Sequence, residues 1–187
     1  MAMSKRAFWG QLIGKFALLA AVGLIGHLWF VYVDHQIIPV EEGKVYRGGV
    51  MSTQTLHEVV RDYELKTIID LRYEGADTEA ERDAVAKIPG VRYVGLPTGQ
   101  IPNDDVVDAY LTVISNPENL PALVHCYHGT GRAPLFGAIY RIEMNGESPE
   151  HARRNAKAFF FGSSFSKQGE KGRYLRAYER RTPAPTE

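Results

Sequence analysis

Cysteine occurs once in this 187-residue chain, at Cys126. A single thiol makes no internal disulfide and cannot supply a cysteine zinc site, so its role is packing or thiol chemistry. Net charge is also missing, since 22 Lys and Arg balance 22 Asp and Glu. With no basic excess, no recognised binding motif and no aromatic residues interleaved with basic ones, nucleic acid is not expected as a partner. Internal repeats and long low-complexity stretches are absent too, and 44% hydrophobic residues suffice for one domain with its own core.

The first 33 residues lack acidic groups entirely, and Phe16 to Val33 ("FALLAAVGLIGHLWFVYV") carries no formal charge. As a helix these 18 residues would extend about 27 Å, just enough for a bilayer. Lys5, Arg6 and Lys15 precede the run, while Asp34, Glu41 and Glu42 follow it. The positive-inside rule then predicts a cytoplasmic N-terminus at 1–15, a transmembrane anchor at 16–33 and an extracytoplasmic domain at 34–181. The bulky end of the run, "LWFVYVDHQ", is unlike a signal-peptide cleavage site. The last residues, 182–187 ("TPAPTE"), read as a disordered tail.

Between anchor and tail, strand and helix signals alternate. Short β-rich runs at 44–47, 67–71, 91–96 and 122–125 are too brief and too apolar for surface helices. Helix-compatible segments occupy 53–63, 78–87, 104–114 and 132–144, with Gly146 as a C-cap. Ser148-Pro149-Glu150 opens another helix, and a last one covers about 172–180. The alternation predicts an α/β layered domain with a central, mostly parallel sheet of four to five strands flanked by helices. From Ser148 to Arg181 nine basic residues face three acidic ones. They read as a solvated helical face or as a surface attracting anionic substrate or lipid headgroups.

This map puts "VHCYHGTGRAP" at the C-terminal end of a strand, with a helix starting at Arg132. Ligands of open α/β sheets bind there. Converging backbone N–H groups beside a helix N-terminus make a cradle for a dianion. Gly129 and Gly131 permit the tight backbone, and the Arg132 guanidinium forks onto two phosphate oxygens. Amides and dipole that attract phosphate also favour a thiolate at Cys126.

Cys126 to Arg132, preceded by His125, has the His-Cys-x-x-Gly-x-x-Arg form of the cysteine-based protein tyrosine phosphatase superfamily. The stretch from about Lys44 to Phe161 resembles its small dual-specificity members. "VYRGGVMS" looks like their entry strand and turn, "TIIDLR" like their second strand, and "IPNDDVVDAYLTVISNPENLPALVHC" like the helix and strand before the active loop.

The resemblance implies a dual-specificity-type, metal- and cofactor-free phosphatase. In it Cys126 attacks phosphorus, while Arg132 and the loop of Tyr127, His128, Gly129, Thr130 and Gly131 bind the oxygens, with His125 supporting. Its substrate would be a phosphorylated protein or a phospholipid. The general acid is expected from an Asp in "LPTGQIPNDD": Asp104, or Asp105, with His128 as another proton source and capping of the next helix as the other role for Asn103 and Asp104. Ala133 departs from the family, which carries Ser or Thr there to help the thiolate leave. That departure points either to slow turnover or to a phosphate-binding pseudophosphatase. Arg47, Asp70 and Arg72 are expected to fix the fold through buried pairs.

Overall fold

The computed structural model describes residues 5–32, 37–156 and 163–181. The expected tail at 182–187 lies outside them. Two compact units result, Met1–His35 and Gln36–Glu187.

The first unit is one helix, α1 (Lys5–Tyr32). Apolar side chains along it, among them Phe16, Leu19, Val22 and Ile25, are exposed. The expected transmembrane span is not supported, because no helix among the described residues is long and apolar enough to cross a membrane.

In the second unit, five strands, β1 (Ile38–Glu41), β2 (Val45–Gly48), β3 (Thr67–Asp70), β4 (Arg92–Gly95) and β5 (Ala122–His125), form a sheet in the order β1-β2-β5-β3-β4. All neighbours are parallel except the β1–β2 pair. β5 therefore lies at the centre, its four residues buried between β2 and β3. Among the described residues the unit also has six α-helices, α2 (Thr53–Asp62), α3 (Ala76–Val85), α4 (Asp104–Ile114), α5 (Arg132–Asn145), α6 (Pro149–Asn155) and α7 (Glu170–Ala177), and two short 3-10 helices at Pro117–Asn119 and Ser163–Phe165.

Alternation along the central strands separates two cores. Tyr46, Ile68 and Leu123 pack with Leu56 and Val60 of α2 and Val85 of α3. Val45, Ile69 and Val124 share a larger core with residues of α4, α5 and α7, including Tyr110, Phe136 and Leu175. Period-two burial of this kind fixes the register, since a one-residue slip would exchange the two faces. In that register His125 stands between Gly48 and Asp70, so the chain leaves β5 at the carboxyl edge of the sheet with both neighbouring strands ending beside it.

The helix boundaries follow local chemistry. Ser52 and Ser148 accept hydrogen bonds from the amides of Thr55 and His151 at the starts of α2 and α6. Gly146 ends α5 in the left-handed conformation, at φ 66°.

Candidate active site

The loop from Cys126 to Gly131 is built on glycine contacts. Gly129 has φ +69°, and a Cβ there would lie 2.7 Å from the Gly49 nitrogen and 2.8 Å from the Gly48 carbonyl carbon. The backbone angle and the close approach both require glycine. Across the same junction the Val50 amide donates to the Tyr127 carbonyl at 3.1 Å and the Cys126 amide to the Gly48 carbonyl at 3.4 Å. Arg47, buried on β2, donates from Nη1 to the Gly129 carbonyl at 3.1 Å. That bond holds one carbonyl dipole of the loop on a cation.

None of the backbone N–H groups of Tyr127, His128, Gly129, Thr130 and Gly131 donates a hydrogen bond to another described residue. Amides ahead of a helix N-terminus with no internal acceptor form an anion cradle. Cys126 is 3% exposed, at the base of this loop. Arg132 anchors Nη1 on the carbonyls of Leu71, at 2.5 Å, and Thr98, at 3.0 Å, which leaves Nε and Nη2 for a ligand. It lines a cleft of about 340 Å³ together with Tyr73, Asp77 and Tyr127. Tyr73 and Tyr127 are exposed there, and the Tyr127 ring meets that of His128 edge-on at 4.7 Å.

The electrostatics are one-sided. Arg47, Arg132 and Lys171 have no carboxylate partner among the described residues. Burial pushes the Arg47 guanidinium down to about 10, the charge of Cys126 opposes that shift and Arg141 adds to it. Burial likewise lowers Lys171, while Glu170 and Cys126 pull it up and Arg132 pushes it down. Arg47 and Lys171 are thus the two cations on which the Cys126 sulfur acts.

Behind the loop, Arg72 donates to Asp70 Oδ2 at 2.7 Å and to Glu81 Oε2 at 2.7 Å, the Tyr93 hydroxyl donates to Asp70 Oδ2 at 2.8 Å, and His125 Nε2 lies 2.8 Å from Glu81 Oε1. Burial raises the Asp70 carboxyl, but the hydrogen bonds from Arg72, the charge of His125 and the Tyr93 hydroxyl outweigh it and hold Asp70 below its ordinary range. Asp70, Glu81 and His125 converge as metal ligands would. The Arg72 guanidinium bridges the two carboxylates and supplies the positive charge. The expected buried pairing is present for Arg72 and Asp70, with Glu81 as a member that the sequence did not single out, whereas Arg47 is buried on the Gly129 carbonyl without a carboxylate partner among the described residues.

Cys126, the loop residues 127–131 and Arg132 lie together between the end of β5 and the start of α5. Asp104 does not join them. Its carboxylate pairs with Arg181 and lines a separate hollow with Tyr174 and Tyr178. Asn103 takes the capping role, its side chain accepting from the Val106 amide at 3.1 Å. Asp105 is exposed in the first turn of α4. Lys171 and Gln100 are the site residues that sequence reasoning missed. Gln100 is bonded to the Lys171 ammonium at 2.7 Å, and both border Gly131.

Fold and loop together are those of the cysteine-based, dual-specificity-type phosphatase family. Residues 24–172 match the model of PTP-NADK, described as a DSP-PTPase phosphatase fused to NAD+ kinase, and the chain belongs to that family. Dual specificity protein phosphatase TpbA of Pseudomonas aeruginosa (strain UCBPP-PA14) is 26% identical over 120 residues, 63% of this chain and 52% of TpbA. The chain spans about half the length of this curated relative. Among solved structures, P. aeruginosa TpbA aligns with a TM-score of 0.57 at 24% identity, covering 73% of this chain and 81% of its own. The core catalytic domain of the PP-IP phosphatase SIW14 from S. cerevisiae aligns with a TM-score of 0.61 at 20% identity, covering 78% and 86%. These identities speak for the shared fold.

Proposed function

We propose that the chain hydrolyses phosphomonoesters through a phosphocysteine on Cys126, with a tyrosine-phosphorylated protein as its substrate. The observation that carries the reading is the set of five undonated amides around Cys126, with the free edge of Arg132 beside them. The thiolate attacks phosphorus in line. The S–P bond forms as the ester P–O bond breaks, the leaving oxygen takes a proton, and water then cleaves the S–P bond to release phosphate and the thiolate. Amides and guanidinium neutralise the equatorial oxygens throughout. Tyr73 and Tyr127 flank the cleft at Arg132 as exposed aromatic walls, which suits a phosphorylated phenol ring.

The test is phosphate release by the full-length chain from a phosphotyrosine peptide, set against a phosphoserine peptide and a phosphoinositide. A faster rate on either competitor would overturn the substrate assignment. A second reading, a phosphate-binding protein that turns over poorly, is favoured by Ala133, which is fully buried and has no hydroxyl to assist thiolate departure. It predicts tight peptide binding without sustained release.

Asp104 is held on Arg181, away from the lining of the Arg132 cleft. Asp104→Asn is therefore expected to change hydrolysis of an aryl phosphate by less than about threefold, within ~0.7 kcal/mol. A loss of about a hundredfold, with the basic arm of the pH–rate profile abolished, would restore Asp104 as the general acid.

We further propose an extracytoplasmic catalytic domain, with α1 resting on a membrane surface rather than crossing it. What supports it is the line of exposed apolar side chains on that helix and the three basic residues among 1–15. A compartment-sensitive reporter fused after residue 187 should be active only on the extracytoplasmic side. Activity confined to a cytoplasmic reporter reverses the assignment.

A further inference from the structure

Lys171 is 4% exposed, in the first turn of α7. Taking an ammonium out of water costs several kcal/mol, and proteins ordinarily offset this with a carboxylate. Here the offset is small. Nζ donates to Gln100 Oε1, a neutral amide, at 2.7 Å, and lies 5.9 Å from the centre of the Phe165 ring. No carboxylate pairs with it among the described residues, and two of its three N–H donors have no acceptor there.

The position is enforced by the backbone. A Cβ on Gly172 would lie 1.7 Å from the Ser166 carbonyl oxygen, so α7 is pressed onto the turn before it. That contact delivers Lys171 to the active loop, where a Cβ on Gly131 would be 3.9 Å from Nζ. Glu170, Cys126 and Arg132 are the charged groups that act on it.

We propose that Lys171 is a substrate-contacting residue of the phosphate site, its ammonium donating to a non-bridging oxygen of the same phosphoryl group that Arg132 and the loop amides hold. This rests on the reading of the Cys126 loop as a phosphoryl cradle. Unpartnered loop amides, the free edge of the Arg132 guanidinium and, beside them on α7, a buried ammonium with two unused donors share one missing complement, an oxyanion. The ligand class is a phosphate monoester or a tetrahedral mimic of it. Gln100 is the neutral partner that the anion displaces from Nζ.

The experiment is calorimetric titration of tungstate into the full-length chain carrying Cys126→Ser, alone and combined with Lys171→Met or Lys171→Arg. The Met variant is expected to bind tungstate roughly 10- to 100-fold more weakly, and the Arg variant to recover most of that loss. Unchanged affinity in the Met variant overturns the proposal and leaves the cradle reading intact. Absence of tungstate binding in Cys126→Ser alone overturns both. Should the Met variant not fold, Gln100→Ala on the exposed loop decides. Relieved of its amide partner, the ammonium should bind tungstate at least about twofold more tightly, and unchanged affinity counts against the proposal.

Discussion

Replacing Cys126 by serine is expected to lower phosphate release from an aryl phosphate by at least roughly 10⁴-fold, about 5.4 kcal/mol of barrier, while tungstate still binds. The asymmetry follows from what surrounds the sulfur. The charge of the sulfur acts on Arg47 and Lys171, and a thiol is by its own chemistry far more acidic than an alcohol. A serine hydroxyl ionises far less readily and needs a base. No side chain among the described residues hydrogen-bonds to Cys126, so serine would find cations and no proton acceptor. Anion binding depends on amides and Arg132, which the substitution leaves in place. Residual turnover within about tenfold of the unmodified chain would show that another group is the nucleophile.

The second large effect is on stability. Arg72→Met is expected to cost about 3–5 kcal/mol, because it strands Asp70 and Glu81, 1% and 8% exposed, as two buried carboxylates without their shared cation. Denaturant unfolding would show the midpoint falling with an unchanged slope. A loss below about 1 kcal/mol would mean that His125 neutralises the pair by itself. Asp70 sets the pH dependence of this network. Its folded carboxyl ionises below the ordinary 3.8, so its contribution is complete above that value and drains away as pH falls through the lower folded one. Since His125 immediately precedes Cys126, loss of the network also loosens the base of the loop.

Much of this was legible in the sequence because it is local. "TIIDL" and "ALVH" are apolar β-rich runs that become β3 and the central β5, and the Gly and Arg spacing after Cys126 encodes the cradle directly. β1 escaped because "IPVE" is short and contains Pro39; an edge strand tolerates a proline that a central one would not. The role of Asp104 was not legible because its partner Arg181 is 77 residues away, and two adjacent aspartates at a helix start look alike in sequence. Lys171 was hidden for a similar reason. Within a run of nine basic residues its burial depends on the bare backbone of Gly172 against Ser166, a contact that no periodicity reveals. Arg153 in the same run is also turned inward, paired with Glu150, so the stretch is less of a solvated face than its composition suggested.

The seating of Gly129 on Gly48 and Gly49 has a kinetic corollary. A ring of dipoles already clamped to the rigid end of a strand has little conformational entropy left to lose when an oxyanion enters. Capture should therefore proceed at the pace of encounter and desolvation, with a single exponential whose rate rises linearly with tungstate concentration and never levels off at a ceiling set by the protein rearranging itself.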